Sequence, residues 1–251
     1  MNWSTNNMIR KVPEVTVYFW IIKLLTTGMG ETTSDFLVKT IDPPLAVGLG
    51  ALGLLVSLVL QFGVRKYIAW VYWLAVVMVA IFGTMAADVL HVGLGVPYLV
   101  STAGFAIALS IIFAVWYNVE NTLSIHSITT RRREFFYWAT VITTFALGTA
   151  AGDMTATTLH LGYLDSGILF AILFAIPAIA HWKFKANEIV TFWFAYIVTR
   201  PLGASFADWI GRPQDLGGVG FGTGQISLVL AILIVIFVGY LTVTKKDIKQ
   251  S

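Results

Sequence analysis

Four aspartates, Asp35, Asp88, Asp153 and Asp208, recur under one spacing rule. Each stands fifteen residues after a tryptophan (Trp20, Trp73, Trp138, Trp193), five after a glycine (Gly30, Gly83, Gly148, Gly203) and directly after a small residue (Ser34, Ala87, Gly152, Ala207). Each also lies in an apolar run long enough to cross a bilayer. A carboxyl at mid-membrane costs about 2.5–3.5 kcal/mol on insertion scales, so four of them with Glu31 reach something on the order of 10 kcal/mol if nothing offsets it. Water, protonation, a basic side chain or a bound cation can do so. The chemistry such groups could perform is cation binding or proton relay at shared carboxylates, and intramembrane ionisable groups are functional candidates by default.

Helical periodicity puts positions three, seven, eleven and fifteen after each tryptophan on one face. The first repeat places Lys23, Thr27, Glu31 and Asp35 there; the second Val76, Ala80, Thr84 and Asp88, with His91 a turn beyond. The third places Val141, Phe145, Thr149 and Asp153, continuing to Thr157 and His160; the fourth Tyr196, Arg200, Ala204 and Asp208. Fifteen residues at ~1.5 Å rise set each aspartate roughly 22 Å from its tryptophan. With the tryptophans in an interfacial belt, the aspartates are expected in the outer third of the membrane and Glu31, Thr84 and Thr149 a turn deeper.

Two readings of the acids stay open. A recurrent aspartate beside a small-xxx-small face could lock helix to helix in every repeat. Against packing alone stand the groups that do not recur: Glu31, Thr84, Thr149, His91 and His160. They suit a shared site with Asp35, Asp88, Asp153, Asp208 and Glu31 as ligands and Thr84, Thr149, His91 and His160 as auxiliary ligands or proton relays. The donors are carboxylate, hydroxyl and imidazole, and the chain has no cysteine. Such a set fits Mn²⁺, Mg²⁺, Fe²⁺ or Zn²⁺ better than Cu⁺. Met29, Met85 and Met154 lie near the acids, where packing is the expected role. Lys23 and Arg200 are expected to tune charge or gate the site; for Lys23 the alternative is snorkelling to the near interface. Arg200 is expected to pair with Glu31, and Pro201 beside it to bend its helix.

The elements that must position these groups are legible. The chain of 251 residues is 57% hydrophobic and 12% charged, with mean hydropathy +0.81. Soluble domains carry about 25% charged residues, so an integral membrane protein is expected. Eight spans are expected, near 13–38, 44–63, 67–91, 97–117, 134–159, 167–183, 188–210 and 224–243. Arg10 and Lys11 precede the first span with no small-residue cleavage site, so it is read as a retained helix. Twelve of the sixteen Lys and Arg residues fall at Arg10/Lys11, Arg65/Lys66, Arg131–Arg133, Lys183/Lys185 and Lys245/Lys246/Lys249, all on one side if there are eight spans. The other side holds Lys39 and Arg212. The positive-inside rule then makes both termini cytoplasmic. The repeats, approximately 10–64, 65–118, 130–184 and 185–245, each contain two spans. They are therefore parallel repeats in a single transmembrane domain, and a pseudo-symmetric bundle with the four first helices near a common axis is expected.

Other features carry less. Gly217–Gly224 is glycine-rich but lacks the strand and lysine of a phosphate loop. Asp165 and Asp215 fall in outer loops. His126 and His181 are expected to be solvated at the basic side. Glu14, Glu134 and Glu188 are expected to favour helix N-termini. No activated nucleophile is visible, so an enzyme is not expected; the short basic loop clusters suggest no nucleic-acid partner, and no covalently bound cofactor is expected.

The segments YFWIIKLLTTGMGETTSDFL, YWLAVVMVAIFGTMAADVLHVG, YWATVITTFALGTAAGD and FWFAYIVTRPLGASFADWIG resemble a family of bacterial polytopic membrane proteins built from a short repeat of unknown function. The resemblance covers nearly the whole chain and implies the bacterial cytoplasmic membrane and the repeat architecture. It supplies no reaction. From the residues, the expectation is a secondary transporter of a divalent cation of Mn²⁺-like character, coupled to protons, with export one possible direction. The alternatives are a proton-coupled carrier of a small organic solute and a non-transporting sensor or assembly protein. Oligomeric state is left open.

Overall fold

The computed structural model describes residues 10–248, all-helical with no strand among them; Lys249 lies outside the described residues. Eight long helices follow one another: α1 Val17–Thr40, α2 Pro43–Gly63, α3 Ala69–Asp88, α4 Tyr98–Glu120, α5 Arg131–Asp153, α6 Gly162–Phe184, α7 Glu188–Gly211 and α8 Thr223–Thr244. Local chemistry starts several of them. The side chains of Thr16, Asp42, Thr130 and Asn187 accept backbone N–H bonds at the starts of α1, α2, α5 and α7. Pro43 and Pro44 open α2, where the first turn needs no N–H donor.

Among the described residues, seven helices are long and apolar enough to cross a bilayer, the character of a multi-pass membrane protein. The exception is α1. Its 24 residues suffice in length, but Lys23, Glu31, Asp35 and Lys39 make it too polar for that criterion.

The helices form two sets. An inner set packs in a closed cycle, α1 on α3, α3 on α5, α5 on α7 and α7 on α1, and each outer helix covers the next inner one: α2 on α3, α4 on α5, α6 on α7, α8 on α1. Outer helices expose aliphatic surface such as Leu52, Val59, Ile107, Ile172 and Val235, as expected of faces solvated by lipid.

The cycle is written in the motif. The aromatic residue before each tryptophan packs on the tryptophan of the next repeat. Ring centroids lie at 5.6 Å for Phe19–Trp73, 5.6 Å for Tyr72–Trp138, 6.2 Å for Tyr137–Trp193 and 5.8 Å for Phe192–Trp20. The glycines follow the same order. A Cβ on Gly30 would stand 2.5 Å from the Ala80 Cβ, one on Gly83 3.1 Å from the Phe145 Cβ, and one on Gly148 2.5 Å from the Arg200 Cβ; one on Gly203 would collide with Thr27. Each motif glycine is thus the notch that receives position seven of the following repeat, the close backbone approach small residues permit.

The tryptophans correct one expectation. Trp73, Trp138 and Trp193 are buried inside the bundle and Trp20 is half-buried, so they form an internal aromatic layer, not an interfacial belt. Indoles hold more packing area in a helix cycle than against lipid, and Trp193 satisfies its N–H on the Leu123 carbonyl at 2.9 Å.

Residues 10–16 cross one end of the bundle. Lys11 N–H bonds to Ile128 O (3.0 Å), Glu14 N–H to Asp247 O (2.9 Å), and Tyr67 N–H to Arg10 O (2.9 Å). This gathers the basic segments around Arg10, Arg65, Arg131 and Lys245 at one end. Glu134 and Glu188 stand in the first turns of α5 and α7, as expected, whereas Glu14 lies outside α1. Glu14 precedes α1 and pairs with Arg10. Glu134 is fully buried, ion-paired with Lys11 and bonded by Gln61 at 2.9 Å. His126 is not simply solvated: its Nε2 lies 3.2 Å from Glu188 and its Nδ1 3.5 Å from Glu14.

Candidate functional site

The inner helices stack their shared face in layers along the bundle. The first, at the basic end, is the aromatic layer of Phe19, Tyr72, Tyr137 and Phe192, where the Tyr72 and Tyr137 hydroxyls lie 2.5 Å apart. Next come Lys23, Val76, Val141 and Tyr196, then Thr27, Ala80, Phe145 and Arg200, all buried. Glu31, Thr84, Thr149 and Ala204 follow, and the four aspartates end the series.

Arg200 ties the inner helices together. It is 0% exposed, and its Nη2 donates to Glu31 Oε2 (2.7 Å), to Thr149 Oγ1 (2.8 Å) and to Thr84 Oγ1, while Nη1 donates to the Thr27 carbonyl (3.2 Å). The threonines are prepared for this. Thr84 and Thr149 spend their hydroxyl protons on Ala80 O (2.9 Å) and Phe145 O (3.0 Å), leaving their lone pairs to accept. One guanidinium from α7 therefore reaches α1, α3 and α5, with five N–H donors on a planar fork that lysine lacks. The pairing with Glu31 expected from sequence is present. Pro201 sits within a continuous α7 and packs with Arg200 against the notch of Gly148 and Gly152.

The acids divide. Carboxylate oxygens of Glu31, Asp153 and Asp208 lie within 4.8 Å of one another, one each from α1, α5 and α7. Asp35 is outside this triplet, bonded to Lys39 at 2.8 Å and facing Arg212 at 3.5 Å. Asp88 is also outside it, within electrostatic reach of Glu31 and Asp35. Asp208 accepts from Arg212 Nε at 2.8 Å. The first and fourth repeats thus carry a base four residues after the aspartate, Lys39 and Arg212. The second and third carry Val92 and Thr157, and there the helix relaxes instead into a π turn directly after the acid, Val89–Gly93 and Met154–Thr158. Such turns are frequent at functional sites because they re-aim the backbone.

Arg212 is a site residue that the sequence places only on the less basic side, though its i, i+4 spacing from Asp208 is an available signal. Burial opposes its charge, yet Asp208 and Asp35 together hold its guanidinium above the ordinary arginine value.

Three expectations fail on geometry. His91 is buried against the Tyr98 ring (4.1 Å between centroids), with Nδ1 facing Val96 O at 3.2 Å; it is held by its own loop and is not part of the carboxylate triplet. His160 is exposed in a left-handed turn (φ 55°) and is likewise no member of that triplet. Lys23 does not snorkel. It is 1% exposed, its Nζ has no hydrogen-bond partner among the described residues, and the ammonium lies 3.9 Å from the Phe145 ring centre and 4.2 Å from that of Tyr196. The closed aromatic layer stands between it and the basic end. Met29 and Met85 are buried packing groups.

Chemically, three carboxylates at this separation can share one cation or one proton. Divalent ions take oxygen ligands at roughly 2.0–2.6 Å, which places ligand oxygens a few ångströms apart. Arg200 and Arg212 each engage one member and leave the carboxylates further lone pairs. Neither a search of curated proteins nor one of solved structures finds a match. The family described as Repeat of Unknown Function, DUF347, matches the chain at residues 18–67, 71–122, 136–187 and 191–247, and the protein belongs to that repeat family.

Proposed function

We propose that this protein is a proton-coupled secondary transporter of a divalent metal cation of Mn²⁺-like hardness, with the ion as substrate. In this reading all eight helices cross a bacterial cytoplasmic membrane and the basic end faces the cytoplasm. The acidic layer then belongs to the outer half. The observation that carries the reading is the triplet of Glu31, Asp153 and Asp208 oxygens within 4.8 Å, drawn from three helices of a bundle whose other faces are apolar. Shared carboxylates that bind either the ion or protons couple the two without nucleotide hydrolysis. Asp35 and Asp88 supply charge at the mouth, and Arg200 fixes the floor of the site.

The test is thermal stabilisation of the purified protein by Mn²⁺, with radiolabelled Mn²⁺ uptake into proteoliposomes. Both are expected to vanish when Asp35, Asp88, Asp153 and Asp208 are all replaced by Asn. Stabilisation unchanged in that variant refutes the metal site.

A second reading has its own support. A cavity of about 620 Å³ opens at the basic end, lined by Trp20, Phe174 and Phe192 with Glu14, His126 and Glu188 also in its wall. It suits a small amphipathic organic solute. Solute-dependent proton flux with indifference to Mn²⁺ would select it.

A further inference from the structure

Two buried cations share the interior of the bundle, and they are held in opposite ways. Arg200 bonds through Nη1 and Nη2 to acceptors on three helices, leaving only its Nε without a partner among the described residues. Lys23, 1% exposed and one layer nearer the basic end, touches none: its Nζ makes no hydrogen bond and meets only the Phe145 and Tyr196 rings at 3.9 and 4.2 Å. An ammonium carries three donors. Aromatic faces return about 0.5–2 kcal/mol each, while desolvating the ion costs several kcal/mol. A group held this way gains little by keeping its charge. Lysine is also the basic side chain that gives up its proton readily when buried, whereas arginine stays protonated.

The groups facing Lys23 fit this division. From α7 it meets Tyr196 and, beyond it, Arg200; from α5, Phe145; its own helix carries Glu31 two turns on, already engaged by Arg200. No carboxylate among the described residues pairs with it. Tyr196, in the same layer as Lys23, carries a buried hydroxyl that interacts with Tyr137, and one layer nearer the basic end the Tyr137 and Tyr72 hydroxyls lie 2.5 Å apart. The aromatic layer they belong to is closed, its four rings at most 7% exposed. In this closed arrangement a hydrated divalent ion does not pass the layer, but a proton can step along hydroxyls.

We infer that Lys23 is the proton-carrying group of the bundle, the one that releases and regains the exchanged proton while Arg200 stays a fixed charge. The inference rests on the proton-coupled reading above and refines it: the exchanged proton sits on Lys23, and the carboxylates hold the ion. The step is a proton transfer only. The Lys23 N–H bond breaks, the proton leaves by the tyrosine hydroxyls toward the basic end, and the electron pair remains on a neutral amine; the reverse restores the ammonium. Discharging Lys23 as the cation reaches the acidic layer spares the interior an added charge.

The experiment uses proteoliposomes with an internal pH dye and radiolabelled Mn²⁺ as probe, comparing wild type with Lys23→Arg and Lys23→Met. Mn²⁺ binding in detergent, read by electron paramagnetic resonance, serves as the control for folding and for the metal site. Both variants are expected to bind Mn²⁺ and to exchange it for Mn²⁺ across the membrane, but to lose the Mn²⁺-driven proton signal. A proton signal retained in Lys23→Arg shows a merely structural cation and overturns the inference, as does one retained in Lys23→Met; the metal reading then survives. Wild type that neither binds nor moves Mn²⁺ overturns the metal reading, and this inference with it, before any variant is compared. If the position-23 variants do not fold, Phe145→Leu opens one wall of the cage and keeps the amine. It is expected to shift the pH at which coupled uptake is half-maximal, and an unchanged pH profile overturns the inference.

Discussion

Replacing Arg200 by Met removes the one group that bonds to α1, α3 and α5 together. It strands the Glu31 carboxylate, which is 2% exposed and whose only ion-pair partner among the described residues is Arg200. It also unpairs the acceptor sides of Thr84 and Thr149. Breaking one partner out of a buried pair costs about 3–5 kcal/mol, because the remaining charge keeps its desolvation penalty. At roughly 2–4 °C per kcal/mol for a chain of this size, the melting temperature should fall by roughly 6–20 °C. Glu31→Gln alone should fall comparably, since it strands the guanidinium. The double variant, Arg200→Met with Glu31→Gln, removes both charges and should recover most of the loss. The assay is a melt of the detergent-purified protein by intrinsic fluorescence, run as a double-mutant cycle. A drop of less than about 2 °C in either single variant would contradict a buried pair of this strength. A double variant that loses the sum of the two singles would refute the coupling itself.

Further outcomes follow from the same geometry. Gly203→Ala and Gly30→Ala drive a Cβ into Thr27 and into the Ala80 backbone 2.7 Å away. Each should cost about 1–3 kcal/mol by overpacking, and Gly83→Ala, with Phe145 at 3.1 Å, should cost less; ranked melts check the order. Asp153→Asn and Asp208→Asn should weaken Mn²⁺ binding more than Asp35→Asn, since Asp35 lies outside the carboxylate triplet and is bonded to Lys39; titration calorimetry reads the ranking. At the basic end, burial lifts the Asp247 carboxyl above the ordinary aspartate value, against the opposing hydrogen bond from Tyr67. A raised carboxyl binds its proton better folded than unfolded, so its stabilisation is full below the ordinary value and is lost as pH climbs through the raised one. Asp247→Asn should flatten that fall and raise the melting temperature at neutral pH relative to wild type, as melts across a pH series would read.

Much of the arrangement is legible in the chain. Helix number and order follow from apolar runs, and the gathering of the basic segments at one end follows from charge placed after every second helix. The Arg200–Glu31 pair could be anticipated because a cation and an anion in apolar runs have few other ways to be neutralised. The division among the acids was less visible. Lys39 and Arg212 stand four residues after Asp35 and Asp208 in plain sight, yet only packing shows Arg212 turning back onto both acids instead of into solvent. His91 and His160 illustrate the opposite limit. Their spacing suggests ligands, but π turns after Asp88 and Asp153 redirect the backbone, and the imidazoles end in a loop packing site and in solvent.

Sequence by itself determined the four-unit plan, the polar face within each first helix and the pairing of a glycine notch with an acid five residues later. These are local spacings, and helical periodicity alone converts them into faces. Only tertiary structure decided which repeat neighbours which. In the closed order α1, α3, α5, α7, position seven of one unit fills the glycine notch of the unit before it, and no single helix encodes that match. The same order put the tryptophans inside, left Lys23 between two rings without an acceptor, and set Glu31 with Asp153 and Asp208 while Asp35 stayed with its bases. Contacts between residues more than a hundred positions apart depend on the angle at which helices meet, and that angle is set by the whole packed ring at once.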